Sequence, residues 1–326
     1  MLRRLREARG VFIPLAELGT DLGRVRGELD ELEAFGFVLE RHPYRGVAYQ
    51  GPAGQFCPDQ IEFELDTQRV GRRVAVWSRV TSTNDLAARA SGSSANDGLV
   101  ILAEEQSAGR GRRGRSWMAP AGSSLLMSVL LFPPATLASA GWLTALGAVG
   151  TAEVVAASTG RDARIKWPND VRVDGRKIAG VLVERGPGAI IGIGLNANLA
   201  RDDFPGALRE SATSLRILLG EPVDRSELAR ALIRRLDYWY ELGRSQGPET
   251  LAIPWRDRSE HLGQTVRVTT PSAELVGHLD DLDLLQGLTL TLPEGRRHHV
   301  PLRDLLALGA ADTGPGDAAT PGRSGG

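Results

Sequence analysis

The sequence predicts an α+β fold with a mixed sheet, preceded by a small helix-and-hairpin module and followed by a small β-barrel. Three observations carry this. Between residues 58 and 258, strand-like and helical stretches follow one another irregularly rather than as repeated βαβ units. The first 57 residues contain one clear helical period and then a hairpin pattern. Residues 259–309 contain only short strand-like runs broken by turn residues.

Residues 21–35 place Leu22, Val25, Leu29, Leu32 and Phe35 at helical spacing, and Gly36 stops that helix. The stretch 37–49 reads as a hairpin, so residues 1–57 predict a winged-helix-like module. In the central domain, Val74–Trp77, Gly98–Ala103, Ser124–Phe132, Ile178–Glu184 and Ala189–Leu195 are strand-like. Ser82-Thr83-Asn84-Asp85 opens a helix that runs to about Ser91. Residues 139–158, rich in Ala, Leu and Val, fit a well-buried helix. Asp224 and Glu227 resemble a capping box ahead of a helix with Leu228, Leu232, Ile233, Leu236 and Tyr240 on one face. Four short strands follow, at 266–269, 274–279, 288–292 and 298–300. The tail 310–326 has almost nothing to bury and is expected to be disordered.

A net charge of −1 supplies no global field toward nucleic acid or membrane. No apolar run is expected to span a bilayer, and the basic N-terminus lacks a signal core, so the chain reads as cytoplasmic. The single cysteine, Cys57, forms no internal disulfide, and no Cys/His cluster has zinc spacing, so no protein metal site is expected. Lysine usage is sharper. Of 39 Lys and Arg residues only Lys166 and Lys177 are lysine, and they lie close together in the chain. Where a compact point charge must fit between ligand oxygens, arginine is no substitute.

Four segments carry chemistry. Gly109-Arg110-Gly111-Arg112-Arg113-Gly114-Arg115-Ser116-Trp117 is an exposed loop whose glycines let backbone approach a ligand. It matches the dinucleotide pattern of spaced glycines, but no helix opens after Gly114. Phosphate or nucleotide binding, nucleic-acid binding and a solvated loop all remain open for it alone. Lys166-Trp167-Pro168-Asn169-Asp170 ends a strand in a turn. In 175–184, Lys177 precedes a strand and can aim at a pocket floored by Gly180. In 192–198, Gly192 and Gly194 on one strand face leave room for a flat ring or close backbone approach, with Asn196 and Asn198 following.

In this order the four segments, with Ser82-Thr83-Asn84 upstream, closely resemble the biotin protein ligase family over roughly residues 70–265. The resemblance implies a biotin/lipoate ligase-like catalytic domain over 58–258 and an SH3-like C-terminal domain over 259–309. It implies activation of biotin with ATP and Mg²⁺ to biotinyl-5′-AMP, then transfer to a lysine of a biotin carboxyl carrier domain. Such chemistry needs positioning and charge neutralisation rather than a covalent nucleophile. By resemblance, Lys177 contacts both biotin's carboxylate and the α-phosphate. Arg110 and Arg112 lie on a loop, flanked by Gly109 and Gly111, that closes over the adenylate. Ser82, Thr83, Asn84 and Gln106 meet the ureido head, and Trp117 supplies a flat wall. Lys166, Asn169, Gly180, Gly194 and Asn196 complete the binding set, with Asn169 facing the nucleotide. Asp170 is the candidate acceptor of the carrier lysine's proton, and Lys177, Arg112 and Asp170 form the catalytic group.

The resemblance also implies a homodimer through the catalytic sheet and, in a rival reading, operator binding by the N-terminal module. Residues 1–57 argue against strong DNA binding. They hold eight Arg against eight Asp and Glu, and the helix at 21–35 carries Asp21, Glu28, Asp30, Glu31 and Glu33 against Arg24 and Arg26. Arg3, Arg4, Arg6 and Arg9 are the cations best placed to reach phosphate.

Overall fold

The structure, a computed structural model, describes residues 1–311. At the N-terminus, α1 (Leu2–Glu7), α2 (Leu15–Leu18) and α3 (Leu22–Phe35) precede the hairpin of β1 (Val38–His42) and β2 (Gly46–Gly51). Asp21 caps α3 by accepting from the Arg24 N–H, and Gly36 ends it with φ 110°, a conformation that costs glycine least. Leu5, Val25, Leu29 and Val47 form a small core of their own.

A short helix, α4 (Pro58–Glu62), leads into the central domain. Its seven strands are β3 (Arg73–Val80), β4 (Leu99–Gln106), β5 (Ser124–Leu131), β6 (Ala163–Lys166), β7 (Asp170–Val173), β8 (Arg176–Arg185) and β9 (Ala189–Asn196). They are ordered β3-β4-β5-β9-β8-β7-β6, parallel only between β3 and β4. The helices α5 (Thr83–Ala90), α6 (Ala140–Thr159), α7 (Leu215–Leu219), α8 (Arg225–Gln246) and α9 (Ala252–Asp257) complete this part. The α6 and α8 helices cover one face of the sheet. Gly147 of α6 is small because Val181 and Ile191 press against it; a Cβ there would come within 2.8 Å of Val181. The other face carries α5 and the cleft described below.

The C-terminal strands β10 (Thr265–Thr269), β11 (Glu274–Asp283), β12 (Gly287–Thr291), β13 (Arg297–Pro301) and β14 (Ala307–Ala310) form an antiparallel sheet ordered β13-β12-β11-β10-β14, consistent with a small SH3-like barrel. Val266, Val268, Leu279, Leu288 and Val300 join the core of the central domain.

Several expectations need correction. The tail was expected to begin at residue 310, yet Ala310 pairs with Val266 in β14 and Ala311 donates to Thr265 O; residues 312–326 lie outside the described residues. Phe56 belongs to the central core and not to the N-terminal module. Asp224 does cap α8, but Glu227 turns to Arg230 and Arg6 instead of completing the box. The α6 helix is long and apolar enough to cross a membrane by length and composition, contrary to the sequence reading; 67% of its apolar window is buried inside the protein, in the core between the sheet and α8.

Candidate active site

The site lies on the sheet face opposite α6, in a cleft of about 380 Å³. Its floor follows from strand alternation. On β8 and β9 the apolar residues Val181, Ile191 and Ile193 point to the core, leaving Gly180, Gly192 and Gly194 on the cleft side. The space over these glycines is used by the protein's own side chains. A Cβ on Gly194 would sit 2.4 Å from the Trp117 ring, and one on Gly192 would sit 2.4 Å from Asn84 Oδ1. The flat ring expected over these glycines is therefore Trp117 itself, whose Nε1 is buried without a hydrogen-bond partner.

At one end of the cleft, α5 delivers Ser82, Thr83 and Asn84, all less than 5% exposed. The Thr83 N–H donates to Gln106 Oε1 at 2.8 Å and its hydroxyl does so at 3.1 Å. Ser82 occupies the N-cap position yet makes no capping bond. The fully buried Ser128 on β5 lies 2.7 Å from Thr83 Oγ1 and 2.5 Å from Asn84 Oδ1. Asn84 Nδ2 donates to Glu184 at 2.9 Å. This is a dry, polar, preorganised corner suited to a small group with both donors and acceptors.

At the middle stands Lys177. A register shift between β7 and β8 pairs Val171 with Ala179 and Arg172 with Lys177, leaving Ile178 as the extra residue. Such a bulge re-aims a side chain. Here Ile178 is buried in the core, while Lys177 Nζ reaches 2.7 Å from Asp170 Oδ1 and 5.6 Å from the Trp117 ring centroid. The Lys177 backbone is gripped on its outer side by Ser211 O and the Thr213 N–H. Asn196 donates to Thr213 O at 2.9 Å, so this member of the predicted binding set braces the loop beside Lys177. Asp170, expected to take the carrier lysine's proton, is held in an ion pair with Lys177.

The arginine loop folds as a tight hairpin: Arg110 pairs with Ser116, and Gly111 N–H donates to Arg115 O at 2.7 Å. Gly109 is required because a Cβ would meet Trp117 O at 2.4 Å. Arg110 is anchored by Asp85 at 2.8 Å and Glu184 at 3.1 Å. The Glu184 hydrogen bond, opposed by burial and helped by Asp85, raises the Arg110 guanidinium above its ordinary range. Asp85 falls below the usual carboxylate range: burial opposes this, but the Thr81 hydroxyl and Arg110 outweigh it. Arg112 donates to Asn169 Oδ1 at 3.2 Å over the cleft, and burial lowers its guanidinium. Asn169 is fixed in turn by donating to Val181 O at 2.9 Å. Arg113, in left-handed backbone with φ 56°, donates to Leu306 O and so ties the loop to the C-terminal sheet.

All the predicted site residues but Gly109 line this cleft, and Gly109 lies at the base of the arginine loop beside it. Ser128, Asp85 and Glu184 have structural parts in it that the sequence reading did not assign. The only signal for Ser128 was a hydroxyl inside an apolar run. Among the described residues no group of three or more His, Cys, Asp or Glu lies close enough to hold a metal ion.

The model of the biotin/lipoate A/B protein ligase family matches residues 76–196. The bifunctional ligase/repressor BirA of Bacillus spizizenii is 30% identical over 284 residues, 85% of this chain and 87% of the relative. The biotin–[acetyl-CoA-carboxylase] ligase of Mycobacterium tuberculosis is 36% identical over 238 residues, 69% of this chain and 88% of the relative. The biotin protein ligase of Aquifex aeolicus in complex with biotin and ATP superposes with a TM-score of 0.64 at 24% identity, covering 73% of this chain and 99% of that one. This chain belongs to the biotin protein ligase family.

Proposed function

We propose that this protein activates biotin with MgATP to biotinyl-5′-AMP, releasing pyrophosphate, and then transfers the biotinyl group to a lysine of a biotin carboxyl carrier domain, releasing AMP. The observation that carries the reading is Lys177, aimed by the β7–β8 bulge between the polar corner of Ser82, Thr83, Asn84 and Gln106 and the cationic strands beyond it. The corner takes the ureido head. Trp117 covers the apolar middle of the substrate. Lys177 then holds two repelling oxyanions together, biotin's carboxylate and the α-phosphate, so that the carboxylate oxygen attacks phosphorus. Arg112 and Asn169 close over the nucleotide side. With Arg110 tied to Asp85 and Glu184, the loop shields the mixed anhydride from water until the carrier arrives. Asp170 positions the Lys177 ammonium in the first step; as Lys177 turns to the adenylate, the freed carboxylate can accept the proton of the carrier lysine.

Purified protein with biotin, ATP and Mg²⁺ is expected to exchange labelled pyrophosphate into ATP in a biotin-dependent manner, and to biotinylate a carrier domain. Exchange supported by lipoate or octanoate and not by biotin would overturn the assignment.

The division near residue 57, with Phe56 on the central side, that at 258, and the cytoplasmic setting are part of the same reading, the last supported by the dependence on ATP. A homodimer would use the catalytic sheet, whose outer strand β3 exposes Trp77. For the N-terminal module, surface charge supports a packing or protein-contact role over repression. Arg24 pairs with Glu28, and Arg41 with Asp30 and Glu33, so two of the cations on and beside α3 are already engaged, while Arg26 has no acidic partner among the described residues. The full chain with biotin and ATP is expected to bind biotin-operon DNA weakly at moderate salt. Nanomolar binding that survives competitor DNA in an anisotropy titration would reverse this.

A further inference from the structure

Strand alternation sets Lys166 of β6, and Asp170 and Arg172 of β7, on the cleft face, because Ile165, Val171 and Val173 between them are buried in the core. Register then forms two rows across the sheet. Lys166, Asp170 and Gly180 are successive partners in one, and Arg172 and Lys177 are partners in the other. Both Lys166 and Arg172 line the cleft. Arg172 is held from outside by Glu260, which lies between α9 and the first strand of the C-terminal sheet. Arg172 Nη1 lies 2.5 Å from Glu260 Oε1, and the Glu260 N–H is fixed on Ile165 O at 2.9 Å. The other two guanidinium nitrogens have no hydrogen-bond partner among the described residues, while Glu260 Oε2 is buried without one. No apolar side chain points into the cleft from β6 or β7.

The direction of the sheet gives this arrangement a use. The polar corner lies over β5 and β9, Lys177 on β8, and the two further cations on β7 and β6. If biotin's head occupies the corner and Lys177 holds the α-phosphate, the next strands meet what continues from that phosphorus. Adjacent strands are about 4.8 Å apart. Two spacings are therefore the reach over which a short polyanion meets Lys166 and Arg172, with Asp170 between them paired to Lys177.

We propose that Arg172, beside the Lys166 already expected in the binding set, binds the β- and γ-phosphates of ATP, and hence the departing pyrophosphate, with Glu260 positioning Arg172 so that two N–H groups face the ligand. This rests on the ligase reading above and adds residues to it. Arg172 is the binding residue; Glu260 acts through it. A fixed guanidinium fork suits adjacent phosphate oxygens better than an ammonium does. It also places part of the phosphate site under the control of the segment that enters the C-terminal sheet.

The test uses the full chain and inorganic pyrophosphate as probe. Arg172→Gln is expected to raise the KM for pyrophosphate in the exchange reaction on the order of tenfold or more, as for loss of charge-assisted hydrogen bonds. The KM for biotin should stay within about twofold. Arg172→Lys should restore part of the loss, and Glu260→Gln should raise the pyrophosphate KM more than it lowers kcat. Independently of turnover, pyrophosphate should raise the melting temperature of the wild type and not of Arg172→Gln, while biotin still stabilises both. Unchanged pyrophosphate affinity in Arg172→Gln, or equal losses for biotin and pyrophosphate, would overturn the proposal. Absence of biotin-dependent exchange in the wild type would instead overturn the ligase reading, and the thermal shift with pyrophosphate would still decide this one.

Discussion

Arginine in place of lysine at position 177 is expected to lower single-turnover formation of biotinyl-5′-AMP on the order of a hundredfold or more, the scale seen when a key electrostatic stabiliser is removed. The melting temperature should hardly change. The chain places arginine at 37 of its 39 Lys and Arg positions, so the lysine here is not a matter of general usage. The geometry gives the reason. Nζ sits 2.7 Å from Asp170 Oδ1, a Cβ on the opposing Gly180 would already be 3.3 Å from it, and the Trp117 ring closes the third side. A guanidinium is broader and planar and cannot occupy a point-charge site among these walls without displacing a reacting oxyanion. Misplacing such a contact acts on the transition state, so kcat and kcat/KM should fall together while biotin binding in the absence of ATP persists. Near-normal single-turnover adenylation by Lys177→Arg would reduce Lys177 to a residue of the cleft rim.

The second large effect is on stability. Arg225→Ala is expected to cost about 3–5 kcal/mol, the usual consequence of leaving one member of a buried ion pair alone. Arg225 begins α8 at 6% exposure, 2.7 Å from Glu104 on β4. It donates to Gly54 O at 2.8 Å and stacks on Phe56 at 4.5 Å, while Glu104 Oε1 accepts from the Phe56 N–H at 2.6 Å. One charge pair thus fixes the segment that joins the N-terminal module to the sheet. Arg230 continues the clamp on Gln60, Ile61 and Phe63 carbonyls. Removing the arginine strands the Glu104 carboxylate away from water; removing both charges as Glu104→Leu with Arg225→Met should recover part of the loss. A denaturant midpoint for Arg225→Ala corresponding to less than about 0.5 kcal/mol would mean that water reaches Glu104 and that the pair is dispensable.

The contrast between these two cases says what a sequence carries. Lys177, Trp117 and the glycines of β8 and β9 were legible because their roles depend on local chemistry: a point charge, a flat ring and missing side chains on one strand face. Helix ends were legible for the same reason, as at Asp21 and Gly36. What escaped depends on partners distant in the chain. Ser128 meets Thr83 and Asn84, Arg110 bridges Asp85 and Glu184, and Arg113 finds a main-chain carbonyl at Leu306 that has no side-chain signature at all. Phe56 read as part of the N-terminal module because the arginine at 225 and the carboxylate at 104 that make it core are distant in the chain. The strand Ala307–Ala310 escaped because its four residues complete a sheet rather than bury a face of their own, and sheet pairing leaves little pattern in so short a run.

The two lysines have one more consequence. A biotinyl adenylate is an acylating agent, and its natural victims are primary amines. Here both lysines of the chain line the cleft, one paired with Asp170, and every other basic side chain except histidine is a guanidinium, which stays protonated and does not capture acyl groups. An acyl group that escapes the cleft is therefore expected to find no lysine side chain elsewhere on the chain, so that the ligase holds a reactive product with few amines of its own in that product's path.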